Sequence, residues 1–387
     1  MTAQQPIVVV APDSFKGSMS AREICVALSE GVGRVWQNVE VRARPMADGG
    51  EGTLDAVLAA VGDAGERRTM RVTGASGLQR DAHYGLITRD GERTAIIEAA
   101  EIVGITDGVA MRAPVIERTT TGVGEMIREL LDQGIDRFMI GLGGSSTNDA
   151  GAGLLSALGF DLLDADRKAV AATPKGLDRL ARVDATNLDH RLSRASITIM
   201  SDVSNPLTGT EGATAVFGPQ KGVASDEVAS LDLALGRFAT AVENAIGKEA
   251  AQRPGAGAAG GLGFALQLIG ARFESGAEVV ANLIGLDGAF DGADWAIAGE
   301  GRSDRQTLLG KAPWIVAQRA ARSKVPVSLL SGSIDASALG ALGEHFAGCF
   351  ALPSGPMTLE ACMADAPRLL ADRAEQMARL FAASLRE

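Results

Sequence analysis

Short apolar runs that stop at polar, glycine-bearing segments recur along this chain. Ile7-Val8-Val9-Val10-Ala11 is a continuous apolar run, the mark of a strand covered on both faces. It gives way to Pro12-Asp13-Ser14-Phe15-Lys16-Gly17-Ser18, and Ser20-Ala21-Arg22-Glu23 then reads as a capping box that opens a helix. Residues 39–43 predict a second strand, followed by Pro45-Met46-Ala47-Asp48-Gly49-Gly50-Glu51-Gly52-Thr53 and another helix. Arg137-Phe138-Met139-Ile140 predicts a buried strand that runs into Gly141-Leu142-Gly143-Gly144-Ser145-Ser146-Thr147-Asn148-Asp149. Residues 150–158 then read as a helix, with Thr147, Asn148 and Asp149 as good N-cap types. Two further strands, 196–200 and 295–298, run into Ser201-Asp202-Val203-Ser204-Asn205-Pro206 and Gly299-Glu300-Gly301-Arg302-Ser303-Asp304.

Between these units the rhythm changes. From about residue 69, short runs at 70–73, 83–88 and 94–97 are split by turn signals such as Arg89-Asp90-Gly91-Glu92, and predict antiparallel or mixed strands. Residues 122–133 predict a helix. The polar stretch 167–189 predicts a surface excursion. Val228, Leu231, Leu235, Phe238, Val242 and Ile246 form one helical stripe. Strand-loop-helix units return from about 290, with a last strand near 347–352 and a helical tail from Thr358. The division this implies is 1–68 plus 290–387 as one discontinuous α/β domain, with 69–289 inserted as a mixed α/β domain.

With 387 residues the chain is long enough for two cores. Apolar residues make up 46% and aromatics only 4%, so those cores are aliphatic. The 48 glycines exceed the usual share of about 7% and gather at the strand ends. A net charge of −11 argues against nucleic acid, which needs a basic patch. Cys25, Cys349 and Cys362 lie far apart and read as free thiols. Residues 1–6 lack the pattern of a signal peptide, and no apolar run approaches the roughly 20 residues of a membrane span, so a cytoplasmic location is expected. His83, His190 and His345 have no partners that suggest chemistry; proton transfer falls to carboxylates or lysines.

Five apolar strands ending in loops of Gly, Asp, Glu, Ser, Lys and Arg point to a ligand site at strand carboxyl ends. The 141–149 loop with its helix start suits phosphate, since glycines admit close approach and unpaired amides face the anion. No G-x-x-x-x-G-K-[ST] exists. The G-x-G-x-x-G at Gly255, Gly257 and Gly260 follows a proline and a polar stretch, not a strand, so the dinucleotide reading fails. A cleft of carboxylates, cations and amides is what phosphoryl transfer requires.

The chain resembles the bacterial glycerate kinases. The resemblance rests on Ala11-Pro-Asp-Ser-Phe-Lys-Gly-Ser18, Ala47-Asp-Gly-Gly-Glu-Gly-Thr53, the 141–149 run, Asp202-Val-Ser-Asn-Pro-Leu207, Phe217-Gly-Pro-Gln-Lys-Gly222, the 254–261 run, and Gly299-Glu-Gly-Arg302 with Asp304, Gln306, Thr307 and Lys311. Ala99-Ala100-Glu101 after Ile97-Glu98, Ser303, and Ser201 where relatives often have Cys are modest departures. The resemblance implies an α/β fold of two domains, a Rossmann-like parallel-sheet domain with a second, mixed α/β domain inserted, and an active site in the cleft between. It implies transfer of phosphate from ATP, with Mg²⁺, to D-glycerate, giving 2-phosphoglycerate. Another small hydroxy acid or polyol, the 3-phosphate, or a non-catalytic sensor of phosphorylated metabolites are the alternatives. Neither nucleic acid nor membrane is an expected partner; the chain is expected as monomer or homodimer.

Within that frame Asp202, Lys16 and Asp13 are the catalytic candidates. Ser14, Arg302, Asp48, Asn205 and Glu300 are expected to bind the acceptor. Gly143, Gly144, Ser145, Ser146, Thr147, Asn148, Lys221 and Lys311 are expected at the nucleotide phosphates, and Asp149, Glu51 and Asp304 at the metal. Turn chemistry competes for Asn205, helix-start charge for Asp48 and Glu51, and a solvated surface charge for the lysines.

Overall fold

The computed structural model describes residues 6–89 and 91–384; residues 1–5, Asp90 and 385–387 lie outside the described residues. Packing divides the chain into two units. The first comprises Met1–Asp48, Asp55–Gly62 and Ala277–Glu387, the second Gly49–Leu54 and Asp63–Gly276. The sequence reading set these boundaries at 68/69 and 289/290. The strand that opens at Gly65 is already part of the second unit, and the helices Gly276–Leu283 and Leu286–Ala289 pack with the first.

The first unit holds β1 (Ile7–Pro12), β2 (Glu40–Ala43), β11 (Trp295–Ser303), β12 (Val327–Ile334) and β13 (Gly348–Ala351); β3 to β10 belong to the second and are given below. The sheet order is β13-β12-β11-β1-β2, and every pairing is parallel. Val8, Val9 and Val10 are fully buried, as a strand covered on both faces requires. Burial of such a side chain contributes about 1.5–3 kcal/mol. Ser20 caps the helix Ala21–Gly33 with a complete capping box to Glu23. That helix lies against Ala366–Ser384 so closely that a Cβ on Gly31 would fall 2.2 Å from the Ala371 carbonyl oxygen. The strand order reverses between β1 and β11, the position where open α/β sheets leave a crevice for ligands.

The second unit holds β3 (Gly65–Thr73), β4 (Gln79–Arg89), β5 (Glu92–Glu98), β6 (Arg137–Gly141), β9 (Ser196–Met200) and β10 (Arg272–Glu274) in the order β10-β9-β6-β5-β4-β3. The β10, β9, β6 and β5 pairings are parallel and the β5-β4 and β4-β3 pairings antiparallel, so the sheet is mixed. The stretch 167–189 is more than an excursion: β7 (Asp161–Leu163) and β8 (Arg182–Asp184) form a small antiparallel sheet around the helix Pro174–Leu177. Phe138, Ile140, Phe160, Phe238 and Phe264 lie in this unit's core. Among the described residues no helix is long and apolar enough to cross a membrane.

Candidate functional site

The first unit gathers most of its expected site residues around one cavity of about 530 Å³ at the switch between β1 and β11. Asp13, Ser14, Lys16, Asp48, Glu300, Arg302 and Lys311 line it. Asp13 follows β1 directly; its backbone N–H donates to the Gly299 carbonyl of β11, and its carboxylate accepts from Ser14 N–H at 2.6 Å. The carboxyl is buried, which raises its pKa to about 8, with the charges of Asp48 and Glu300 adding to the rise and the Ser14 bond and Lys16 opposing it. A carboxyl tuned this way near neutral pH is suited to take a proton.

Glu300 sits deeper. Its Oε1 accepts from Ser303 Oγ at 2.8 Å and Thr307 Oγ1 at 2.6 Å, and its Oε2 lies 3.6 Å from Lys311 Nζ. Burial raises its pKa, against the lowering by Thr307 and Lys311. Glu300 therefore anchors Lys311 and the turn after β11. Arg302 is 70% exposed with Asp335 at 3.8 Å, so its fork is presented to the cavity rim. Lys16 Nζ lies 3.4 Å from Asp48 Oδ2. Leu352, Leu359, Cys362 and Met363 contribute apolar lining.

In the second unit Glu98, Gly141 and Met200 stand level at the ends of β5, β6 and β9. The loop 141–149 leaves from here, and Asp202 lies two residues beyond Met200, exposed to solvent. Glycine is required where chains cross. A Cβ on Gly143 would lie 2.6 Å from Gly50 Cα, and one on Gly260 would lie 2.0 Å from the Thr147 carbonyl oxygen. The glycine run at 254–261 thus packs against the 141–149 loop.

Several expectations need correction here. The helix after the loop is Ala152–Ala157, not 150–158, and its N-cap is Gly151 in the left-handed region, with no side-chain cap from Thr147, Asn148 or Asp149. The anion at this helix start is the protein's own. Asp149 Oδ2 accepts from Thr120 N–H, Thr120 Oγ1 and Gly153 N–H at 2.8, 2.8 and 3.2 Å, and Oδ1 from Gly151 N–H at 3.0 Å. Its lone pairs go to these donors and it is fully buried, so it is a structural group and not a metal ligand. Ser145, Ser146, Thr147 and Asn148 are buried as well, and Lys221 is buried with Nζ on the Thr147 carbonyl at 2.8 Å and Ser145 Oγ at 3.2 Å. They hold the loop from within. Gly143 is half-buried and Gly144 exposed, which leaves their backbone within reach of a ligand.

Asp304 caps the short helix Arg305–Leu309 through Gln306 N–H at 2.8 Å, and Asn205 donates its amide to the Glu211 carbonyl at 2.8 Å; both do turn work. Glu51 is exposed. Among the described residues no three carboxylate, histidine or cysteine groups converge as a metal cage, so Asp149, Glu51 and Asp304 do not form one.

Two residues of the second unit escaped the sequence reading as site residues. Glu98 accepts from Gly52 N–H at 3.4 Å and from Leu54 N–H, so it clamps the glycine segment that follows Asp48. Burial raises its pKa to about 7, although both bonds oppose the rise. Its place directly after the apolar run of β5 is the same signal that marked Asp13. Arg118 is buried and donates to the carbonyls of Met111, Ala113, Ser146 and Lys221. A lone arginine ahead of three threonines carries no such signal.

Charged and glycine-bearing loops at the carboxyl ends of parallel strands are where open α/β proteins bind their ligands. The glycerate kinase family model matches residues 8–382. Glycerate kinase of Bacillus subtilis (strain 168) is 40% identical over 383 residues, 98% of this chain and 97% of the relative. Glycerate 2-kinase of Escherichia coli (strain K12) is 39% identical over 328 residues, 84% of this chain and 85% of the relative. The crystal structure assigned to glycerate kinase 2 of Salmonella typhimurium LT2 matches with a TM-score of 0.85 at 38% identity, covering 99% of this chain and 100% of that one. The chain belongs to the glycerate kinase family.

Proposed function

We propose that this enzyme transfers the terminal phosphate of ATP to the 2-hydroxyl of D-glycerate, giving 2-phosphoglycerate and ADP. The observation that carries the reading is Asp13, a buried carboxyl in a cavity that also presents Lys16, Arg302 and Lys311. Asp13 takes the proton of the attacking hydroxyl. Arg302 holds the acceptor carboxylate with its planar fork. Ser14 and Asp48 orient the hydroxyls, and Lys16 and Lys311 neutralise the charge of the moving phosphate.

Backbone at Gly143 and Gly144 receives the nucleotide phosphates. Mg²⁺ typically binds through one or two carboxylates plus substrate phosphates. Exposed Asp202, level with the loop at the next strand end, is the carboxylate suited to it. The ion neutralises phosphate charge when bound. The choice of the 2-hydroxyl follows the activity named for the Escherichia coli relative.

The test is ADP release with D-glycerate, followed by phosphorus NMR of the product. A 2-phospho signal is expected; a 3-phospho signal removes the regiochemistry, and absence of turnover with D-glycerate removes the substrate. The apolar wall at Leu352, Leu359 and Met363 favours a second reading, an acceptor acid larger than three carbons, which the same assay decides with alkyl-substituted dihydroxy acids.

A further inference from the structure

The loop 141–149 stands on more buried positive charge than negative. Arg118 is 2% exposed, Lys221 1% and Asp149 0%. Arg118 places its guanidinium on backbone carbonyls. Lys221 places its ammonium on a carbonyl and a hydroxyl. Asp149 bonds to neutral donors. With Lys221 protonated, two buried cations face one buried carboxylate, and the cluster carries a net positive charge. The side-chain oxygens of Thr147 and Asn148, both fully buried, also lack partners. Meanwhile Gly144 of the same loop faces solvent.

We propose that Arg118 and Lys221 form a built-in positive charge beneath the 141–149 loop, which draws a phosphate group onto the exposed backbone at Gly143 and Gly144. The proposal rests on the reading of this loop as the nucleotide-phosphate site. Lys221 is then a positioning residue that acts through the loop and does not touch the ligand. Its charge acts through protein of low dielectric, so its pull on an anion at the loop surface is screened less than that of a surface lysine.

A signature follows. Burial holds the Lys221 pKa down to about 7, with Arg118 lowering it and Asp149 raising it. These are the charged groups that act on it. An anion on the loop favours the protonated lysine, so anion binding takes up a proton near neutral pH, and by linkage affinity falls as pH rises.

The test uses sulfate, which does not titrate in this range, and the full chain. Calorimetric titrations in two buffers of different ionisation heat read the protons taken up. Wild type is expected to take up a fraction of a proton at pH 7–8, with sulfate affinity falling about tenfold from pH 6 to 9. Lys221→Met is expected to bind more weakly, with no uptake, and to raise the KM for ATP more than that for D-glycerate. Lys221→Arg keeps the charge without its titration, so it should keep affinity and lose the uptake; it serves if Lys221→Met does not fold. Uptake that persists in either variant, or is absent in wild type, overturns the proposal. Gly144→Asp tests the underlying reading by itself, since its φ of +70° tolerates Asp. An unchanged KM for ATP in that variant removes the loop as phosphate site, and the proposal with it.

Discussion

Asp13 and Asp48 face one cavity, and the charge of Asp48 raises the proton affinity of Asp13 while Lys16, 3.4 Å from Asp48 Oδ2, lowers it. If Asp13 is the base, kcat/KM should rise with pH through about 8 and level off above it, because only the deprotonated carboxylate accepts the hydroxyl proton. A pH-rate profile flat between 6 and 9 would remove Asp13 from this role.

Asp13→Asn should lower turnover by about 10²-fold or more. It should also stabilise the protein at alkaline pH. The native pKa of about 8 lies above the ordinary 3.8, so the native state holds a proton that the unfolded chain has released. Stability therefore falls as pH rises across that window, and the amide removes the loss. Melting temperatures of both forms at pH 5 and pH 9 check the sign. Asp202→Asn, on an exposed loop, should instead raise the Mg²⁺ requirement and leave the pH profile in place.

Arg302→Lys should raise the KM for D-glycerate by about tenfold while the KM for ATP moves less, since the planar fork is lost and the charge kept. Initial-rate kinetics with each substrate varied separate the two. A rise confined to ATP would move Arg302 to the nucleotide side.

Asp149→Asn should destabilise the second unit by about 1–3 kcal/mol, because an amide cannot accept from all the donors that converge there and leaves some unpaired. The drop should appear in thermal unfolding. An unchanged melting temperature together with a raised Mg²⁺ requirement would restore the metal-ligand reading.

The parts of the fold that depend on local pattern were legible. The valine run of β1, the Ser20 capping box and the stripe from Val228 to Ile246 each carry their period or cap in a few consecutive residues. The strand-end rule also found the cavity residues Asp13, Lys16, Asp48, Glu300, Arg302 and Lys311, because a charged group after a buried strand is visible locally. What the sequence hid was depth. Lys221 and Lys311 look alike as lysines beside glycines, yet one is buried and the other lines an open cavity. Asp149 looked like a ligand because its true partners, Thr120 and Gly153, are brought to it only by folding. The early start of β3 at Gly65 is hidden because most of its positions are exposed or half-buried.

The β1–β11 pair of the parallel sheet joins distant segments of the chain: Ile7 donates its backbone N–H to Asp294, 287 positions away, and Val8 to Pro12 pair with β11. β1 can pair with β2 early, but its other edge waits for β11, some 287 positions further along. The intervening unit has its own core and sheet and is free to fold during that interval. Pairing of such distant segments is slow. Folding is thus expected to complete the second unit first, and the cavity at β1 and β11 is among the last features to form.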